Sequence, residues 1–281
     1  NVGGYSGKFI RVDLTEGRLT GLLVVEVTLR KYLGGTGIGA KYLYEEVPPN
    51  VGWSHPENRL IFAQGPLGGT RIAGSGGYSV VTKGPLTNGA TSVQAAGFLG
   101  AYLKFCGFDG IIVQGASPKC VYLHVDEDFV ELRDASGIRG KDTYETEEII
   151  KKEFGKKERE MSVASIGPAG ENLVKFAGIF SDMGHSASHN GTGAVLGSKK
   201  LKAIAVARGK RAIEVKDKAR LTVTADKLLD DVKKLTKKIF DWGTLWANIE
   251  AYLIIDCKMV SALSGLKAPQ THCLARLLAA S

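Results

Sequence analysis

The stretch Gly65–Gly100, GPLGGTRIAGSGGYSVVTKGPLTNGATSVQAAGFLG, contains ten glycines in thirty-six positions, and we call it the first glycine segment. Glycine loses more conformational entropy on folding than any other residue. A segment with this many glycines therefore requires a geometric reason. Two reasons are open: left-handed turns between strands, or backbone that lies close to a bound ligand. In the middle of the segment, the β-branched and aromatic run Tyr78–Thr82 predicts a strand.

A second glycine segment, Gly184–Gly197, reads GHSASHNGTGAVLG and is followed by a serine and a lysine pair. Backbone N–H groups in such loops can form anion-binding sites. Two long segments of this kind in one chain favour the ligand interpretation over turns alone. His185 and His189 have the spacing of a metal pair on a helix, but the surrounding glycines and serines argue against a helix. We therefore expect no metal site there.

Length and composition are those of an ordinary globular protein. The 281 residues can form one large domain or two smaller ones, with 44% hydrophobic and 23% charged residues. No apolar run is long enough for a transmembrane helix, and the first residues lack the apolar core of a secretory signal. The four cysteines show no Cys-x-x-Cys spacing, so they predict neither a zinc nor an iron–sulfur site. A reduced, cytoplasmic location is the simplest expectation.

The formal net charge of +8 is concentrated in one region. Between Arg208 and Ile239 there are eleven Lys and Arg against five Asp and Glu. A basic segment can bind nucleic acid or an acidic protein. This one has no interleaved aromatic residues and no known nucleic-acid motif. We expect a linker and a solvated helix face, with no nucleic-acid partner.

Hydrophobic periodicity predicts a strand-rich α+β fold up to about residue 210 and a helical segment after it. Thr28 is expected to cap a short helix, and Asp142 with Glu145 forms a predicted capping box. Predicted strands include Lys8–Leu14 and Val174–Phe180, and predicted helices include one that begins near Thr224 and one over Trp242–Ile255.

Several stretches together resemble the tungsten-containing aldehyde ferredoxin oxidoreductases. They include YSGKFIRVDL, LRKYLGGTGIGAKYLYEEVPP, PENRLIFAQGPLGGT, YSVVTKGPLT, SIGPAGENLVKFA and GTGAVLGSKKLKAIAV. The resemblance runs from about Tyr5 to Arg208 with almost constant spacing. It implies a two-sheet N-terminal base domain over residues 1–210, followed by a linker and the start of a helical domain over residues 211–281.

The resemblance also implies a cofactor and a reaction. In the family, a tungsten ion held by two pterin dithiolenes lies on the base domain, and aldehydes are oxidised to carboxylic acids with ferredoxin as electron acceptor. A 4Fe-4S cluster is bound in the later helical part by a Cys-x-x-Cys-x-x-x-Cys run, which these 281 residues do not contain. A homodimer or a second subunit is expected, and the chain is expected to be inactive alone. The alternative is a non-catalytic cofactor-binding or interaction module.

The chain differs from the family pattern at the positions that face the pterin. The family's Gly-Arg-Tyr is Gly76-Gly77-Tyr78, its Asn-Ser-Gly-Gly is Gln94–Gly97, and two arginines of the second glycine segment are His185 and His189. We expect the two glycine segments to meet in space, although about ninety residues separate them. The cofactor-binding residues implied by the resemblance are Gly77, Gln94, Ala96, Gly97, His185, His189, Asn190 and Gly191; no catalytic residue is assigned.

Overall fold

A computed structural model describes residues 3–127 and 129–235. Its strands are β1 (Lys8–Asp13), β2 (Arg18–Leu23), β3 (Leu60–Ala63), β4 (Tyr78–Lys83), β5 (Ala90–Ala95), β6 (Gly110–Gln114), β7 (Val121–Val125), β8 (Val130–Asp134), β9 (Met161–Ser165), β10 (Ile179–Ser181), β11 (His185–Ala187) and β12 (Leu201–Ala207). Its α-helices are α1 (Glu26–Tyr32), α2 (Gly35–Glu46), α3 (Leu99–Phe105), α4 (Thr143–Glu153), α5 (Pro168–Glu171), α6 (Thr192–Ser198) and α7 (Lys218–Leu235).

The strands form two six-stranded mixed sheets. Sheet 1 has the order β2-β1-β6-β3-β4-β5, and sheet 2 has the order β11-β10-β9-β12-β7-β8. The pairs β1–β6 and β7–β12 are parallel, and the other neighbouring strands are antiparallel. The two-sheet α+β base expected from the sequence is confirmed.

One hydrophobic core joins the two sheets. Phe62 and Val80 of sheet 1 belong to the same buried cluster as Leu123, Ile204 and Val206 of sheet 2. Helices α3 and α6 contribute further buried side chains to this cluster, namely Leu99, Tyr102, Leu103, Val195 and Leu196. Burial of this apolar surface is the main stabilising contribution available to the domain.

The outer face of each sheet is covered by helices. On sheet 1, Ile38 and Tyr42 of α2 pack with Ile61 and Val81. On sheet 2, the alternation of β12 directs its small residues Ala203 and Ala205 into a separate cluster with Ile150 of α4. Every residue of β12 is buried because both of its faces are covered.

Local predictions were confirmed in part. The capping box of α4 is present, with the Asp142 side chain accepting from the Glu145 N–H. The predicted cap at Thr28 is wrong: α1 begins at Glu26 and its extended N-cap residue, Val25, makes no side-chain cap hydrogen bond. The acidic Glu26 in the first turn complements the helix dipole instead.

The predicted strand Val174–Phe180 is also wrong over most of its length, since β10 contains only Ile179–Ser181. The preceding residues form turns, because Leu173 has a left-handed φ of 59° and the Ala177 N–H donates to the Val174 carbonyl. Helix α3 begins at the end of the first glycine segment and α6 lies almost entirely within the second, and the glycine content conceals both helices in the sequence. The helix expected over Trp242–Ile255 lies outside the described residues.

Contacts divide the chain into two units, Asn1–Leu221 and Thr222–Ser281. The first contains both sheets. The second begins within α7, and its described part is helical as far as Leu235. The domain boundary after residue 210 stays a prediction. Within residues 3–127 and 129–235, no helix combines the length and the apolar character needed to cross a membrane.

Candidate functional site

The two glycine segments contact each other, as expected from the sequence. At the turn between β10 and β11, the Asp182 carboxylate accepts the Phe98 N–H at 2.6 Å. In the second segment, Asn190 Oδ1 accepts the N–H groups of Leu86 and Thr87 at 3.0 and 3.1 Å. The contact therefore involves residues at the ends of strands in both sheets. We call this region the glycine junction.

Close backbone approach explains several of the glycines. A Cβ atom on Gly76 would lie 2.5 Å from the Gly97 carbonyl oxygen, and one on Gly191 would lie 1.8 Å from the Lys175 carbonyl oxygen. Gly97 and Gly191 also have left-handed φ angles of 103° and 71°. Both positions exclude other residues on steric and conformational grounds. Part of the glycine content is thus required by contacts within the protein itself.

A cavity of about 450 Å³ lies beside the glycine junction. Seven of its fifteen lining residues are glycine or alanine, and three are aromatic. The lining residues are Gly69, Thr70, Ile72, Gly74, Ser75, Gly76, Gly77, Ala96, Gly97, Phe98, Ala101, Tyr102, Phe105, Arg159 and Arg208. Three of the eight residues implied by the resemblance, Gly77, Ala96 and Gly97, are therefore in one cavity.

The other five lie around the junction rather than in the cavity lining. Gln94 is exposed on β5, where its Nε2 donates to Thr36 Oγ1 at 3.1 Å. His185 and His189 are exposed, and the His185 ring lies 3.2 Å from the position of a Cβ on Gly97. Of the last two implied residues, Asn190 holds the segments together through the hydrogen bonds given above, and Gly191 lies close to the Lys175 carbonyl. The assignment of the eight residues to a cofactor stays a prediction.

Two buried polar atoms of this region lack a hydrogen-bond partner in the described part of the chain. They are Asp182 Oδ1 and Gln64 Nε2. Asp182 and the following Met183 also have left-handed φ angles of 48° and 61°, a conformation that costs free energy in non-glycine residues. Buried polar atoms are normally paired, so unpaired ones are a mark of sites that are completed by a ligand or water.

Sequence analysis missed two residues of the cavity, Arg159 and Arg208. Arg159 lies in the turn before β9, where its carbonyl accepts the Tyr102 hydroxyl at 2.7 Å. Arg208 directly follows β12, and its N–H donates to the Glu160 carbonyl at 2.8 Å. Burial raises the pKa of Tyr102, while both guanidinium groups act in the opposite direction. The pairing of β9 with β12 brings these arginines together, and the linear sequence carries no signal for it.

In the described portion of the chain, no group of three or more His, Cys, Asp and Glu side chains is arranged to hold a metal ion. Cys106 is buried with its Sγ 3.2 Å from the Ala207 carbonyl oxygen, and burial raises the pKa of this thiol to about 12. Such a thiol is protonated at neutral pH and is a poor nucleophile or metal ligand.

Residues 9–208 match the family described as "Aldehyde ferredoxin oxidoreductase, N-terminal domain". The chain belongs to this family. Among curated proteins it is similar to the tungsten-containing aldehyde ferredoxin oxidoreductases of Pyrococcus abyssi, at 44% identity, and of Pyrococcus furiosus, at 46%. These alignments cover 82% and 77% of this chain but only 38% and 35% of the relatives. The chain thus spans less than two fifths of the length of these relatives.

Other family relatives carry different names. The chain is 37% identical over 254 residues to the "Aliphatic sulfonate oxidoreductase, WOR-like subunit" of Pyrococcus furiosus, covering 85% of this chain and 40% of that protein. Among solved structures it is similar to the "Active site complex BamBC of Benzoyl Coenzyme A reductase in complex with 1,5 Dienoyl-CoA", with a TM-score of 0.79 and 41% identity. That similarity covers 83% of this chain and 35% of the solved one.

Proposed function

We propose that this domain is the base on which a tungsten–pterin cofactor lies, in an enzyme that oxidises aldehydes to carboxylic acids with ferredoxin as electron acceptor. The observation that carries the proposal is the glycine junction, where two distant glycine-rich segments meet beside a cavity lined in large part by glycine and alanine. The tungsten-containing relatives support the identity of the cofactor.

The residues present fit a large, flat and anionic group. Gly77, Ala96 and Gly97 leave the backbone accessible from the cavity, which side chains of ordinary size would prevent. Two guanidinium groups at the wall of the cavity supply positive charge for phosphate. When bound, the cofactor supplies the chemistry by which an aldehyde and water become a carboxylic acid, two electrons and two protons. The domain itself contributes binding and orientation.

The electron route and the substrate channel are assigned to polypeptide beyond this domain. The cysteine run expected for the 4Fe-4S cluster does not occur in the 281 residues. Relatives named as subunits or as parts of a complex support an additional polypeptide or a second copy as partner. On this proposal, ferredoxin and the aldehyde do not bind productively to the isolated domain.

The proposal is tested by cofactor content. The 281-residue chain is produced anaerobically with tungstate, and tungsten, molybdenum and pterin are measured per chain. Ala96→Phe places a large side chain in the cavity and should remove most of the pterin. Ala73→Phe is the matched control, because Ala73 is exposed in the same segment but does not line the cavity.

The proposal is supported if the Ala73→Phe variant retains pterin and tungsten and the Ala96→Phe variant loses them. Both variants must have the wild-type circular dichroism spectrum, which shows that they are folded. Wild-type chain without pterin or metal would instead favour the alternative, a non-catalytic interaction module. Equal pterin in both variants would show that the cavity is not the cofactor site.

A further inference from the structure

The two cationic residues that line the cavity flank strands of sheet 2, whereas Arg71 of the first glycine segment is not part of the lining. Arg159 and Arg208 both line the cavity, and both are exposed. Neither guanidinium group has an ion-pair partner among residues 3–127 and 129–235. Asp182, the nearest carboxylate of the glycine junction, is not part of the cavity lining, and one of its oxygens already accepts the Phe98 N–H.

The backbone fixes the two arginines as neighbours. The ladder between β9 and β12 ends with Ala207 opposite Met161, and the Arg208 N–H extends it by donating to the Glu160 carbonyl. Arg159 is the next residue, and its carbonyl is held by the Tyr102 hydroxyl of α3. Because both side chains line the same cavity, their two guanidinium groups can reach one anion.

A second basic cavity of about 560 Å³ continues from the same wall. Arg208 lines both cavities. Four of the residues that line the second cavity are cationic and one is acidic. The full lining is Phe105, Lys156, Glu160, Arg208, Gly209, Lys210 and Arg211. The resulting positive potential favours an anion over a neutral ligand at this wall.

The chain also lacks arginine at the positions where the family resemblance places it. Gly77, His185 and His189 stand there instead. Arginine is the side chain best suited to phosphate, since it is always charged and donates two parallel hydrogen bonds. A glycine has no such donor, and a histidine is only partly charged near neutral pH.

We propose that Arg159 and Arg208 form a phosphate-binding site in the cavity beside the glycine junction, in place of the arginines that the family resemblance places at Gly77, His185 and His189. The site takes the phosphate group of a ligand whose remaining part lies against the glycine and alanine residues of the cavity. That this ligand is the pterin cofactor rests on the proposed function. The phosphate site itself rests on the two arginines and the cavity.

The site is tested with inorganic pyrophosphate as the probe, by isothermal titration calorimetry on the cofactor-free 281-residue chain. Arg159→Gln and Arg208→Gln should each raise the Kd about tenfold or more, because each removes a charge-assisted hydrogen-bond donor. Arg159→Lys should give an intermediate Kd. Arg139→Gln is the matched control, because Arg139 is exposed and lines neither cavity. This substitution should leave the Kd unchanged.

Absence of pyrophosphate binding by the wild-type chain would overturn the inference, and so would an equal effect of the Arg139→Gln control. Pyrophosphate binding that depends on both arginines, in a chain that never carries pterin, would support the phosphate site and contradict the proposed function. If the wild-type chain carries pterin but Arg159→Gln and Arg208→Gln bind pyrophosphate as tightly as the wild type, the proposed function is supported and the phosphate site is contradicted. A cofactor-loaded chain should no longer bind pyrophosphate. If it still does, the site does not hold the cofactor's phosphate.

Discussion

Two junctions connect the sheets, and they differ in how completely their polar groups are paired. In the lysine junction, the fully buried Lys199 donates from Nζ to the carbonyls of Pro56, Asn58 and Gly115 at 3.1, 2.7 and 3.0 Å. All three ammonium hydrogens have an acceptor. In the glycine junction, Asp182 Oδ1 is buried without a partner among the described residues, beside an open cavity.

This difference separates a structural contact from a candidate binding site. A saturated buried group has no capacity left for a ligand, and its removal leaves the partner atoms unpaired at a cost in stability. A junction with unpaired atoms and free volume has capacity for a ligand. We therefore interpret the lysine junction as structural and the glycine junction as functional. The predictions below test this distinction.

The largest expected effect is at Gly191, where the backbone of the glycine junction is most tightly packed. Gly191→Ala should lower the free energy of unfolding by about 3 kcal/mol or more, because it combines a left-handed φ with a Cβ 1.8 Å from a carbonyl oxygen. The control is Gly74→Ala, where φ is 78° but nothing lies within 4 Å of the added Cβ. It should cost only about 1 kcal/mol. Urea unfolding measures both, and equal losses would contradict the geometry.

The next effect concerns Lys199. Lys199→Met should lower the free energy of unfolding by about 2 kcal/mol at pH 7, since three buried carbonyl oxygens lose their donor. Lys200→Met is the matched neighbour, because Lys200 is exposed and donates to a single carbonyl, that of Pro118. Its expected loss is about 0.5 kcal/mol. A Lys199→Met variant as stable as Lys200→Met would show that the lysine junction is dispensable.

The smallest of the three stability effects is a pH dependence. Burial lowers the pKa of Lys199 to about 7, with a contribution from Arg59, whereas an unfolded lysine titrates near 10.4. Between these values the unfolded chain binds more protons than the native chain, so the stability due to Lys199 rises with pH.

The wild-type free energy of unfolding, relative to that of Lys199→Met, should therefore increase by about 1 kcal/mol from pH 7.5 to 8.5. Urea titrations of both proteins at the two pH values measure it. A difference that stays constant or decreases would mean that the buried amine keeps its charge throughout this range.

Much of the fold was accessible from the sequence because its signals are local. The run Tyr78–Thr82 predicted β4 from its residue types, and the Asp142–Glu145 spacing predicted the start of α4. Helices α3 and α6 were missed because glycines interrupt them, while their Leu103 and Val195 side chains are buried in the core. Tertiary burial here overrides local propensity.

The candidate site was accessible only in part. The two glycine segments could be paired from their composition and the family resemblance, and three of the eight implied residues line the cavity. Arg208 belongs to the basic segment that the charge pattern predicts to be a linker and solvated helix face, and no motif in the sequence marks Arg159. Their role depends on the antiparallel pairing of β9 with β12, and Lys199 likewise gives no local sign of being buried. Non-local pairing leaves no trace in a single sequence.

The central claim is that the glycine junction is the ligand site and the lysine junction is not. Hydrogen–deuterium exchange on the 281-residue chain, with and without inorganic pyrophosphate, tests it most directly. The account predicts slower exchange with pyrophosphate in residues 159–160 and 208–209, which carry the two arginines, and in the cavity-lining residues 96–98, with unchanged exchange in residues 56–58 and 115–117. Slower exchange around the lysine junction, or no change in either region, would contradict the account.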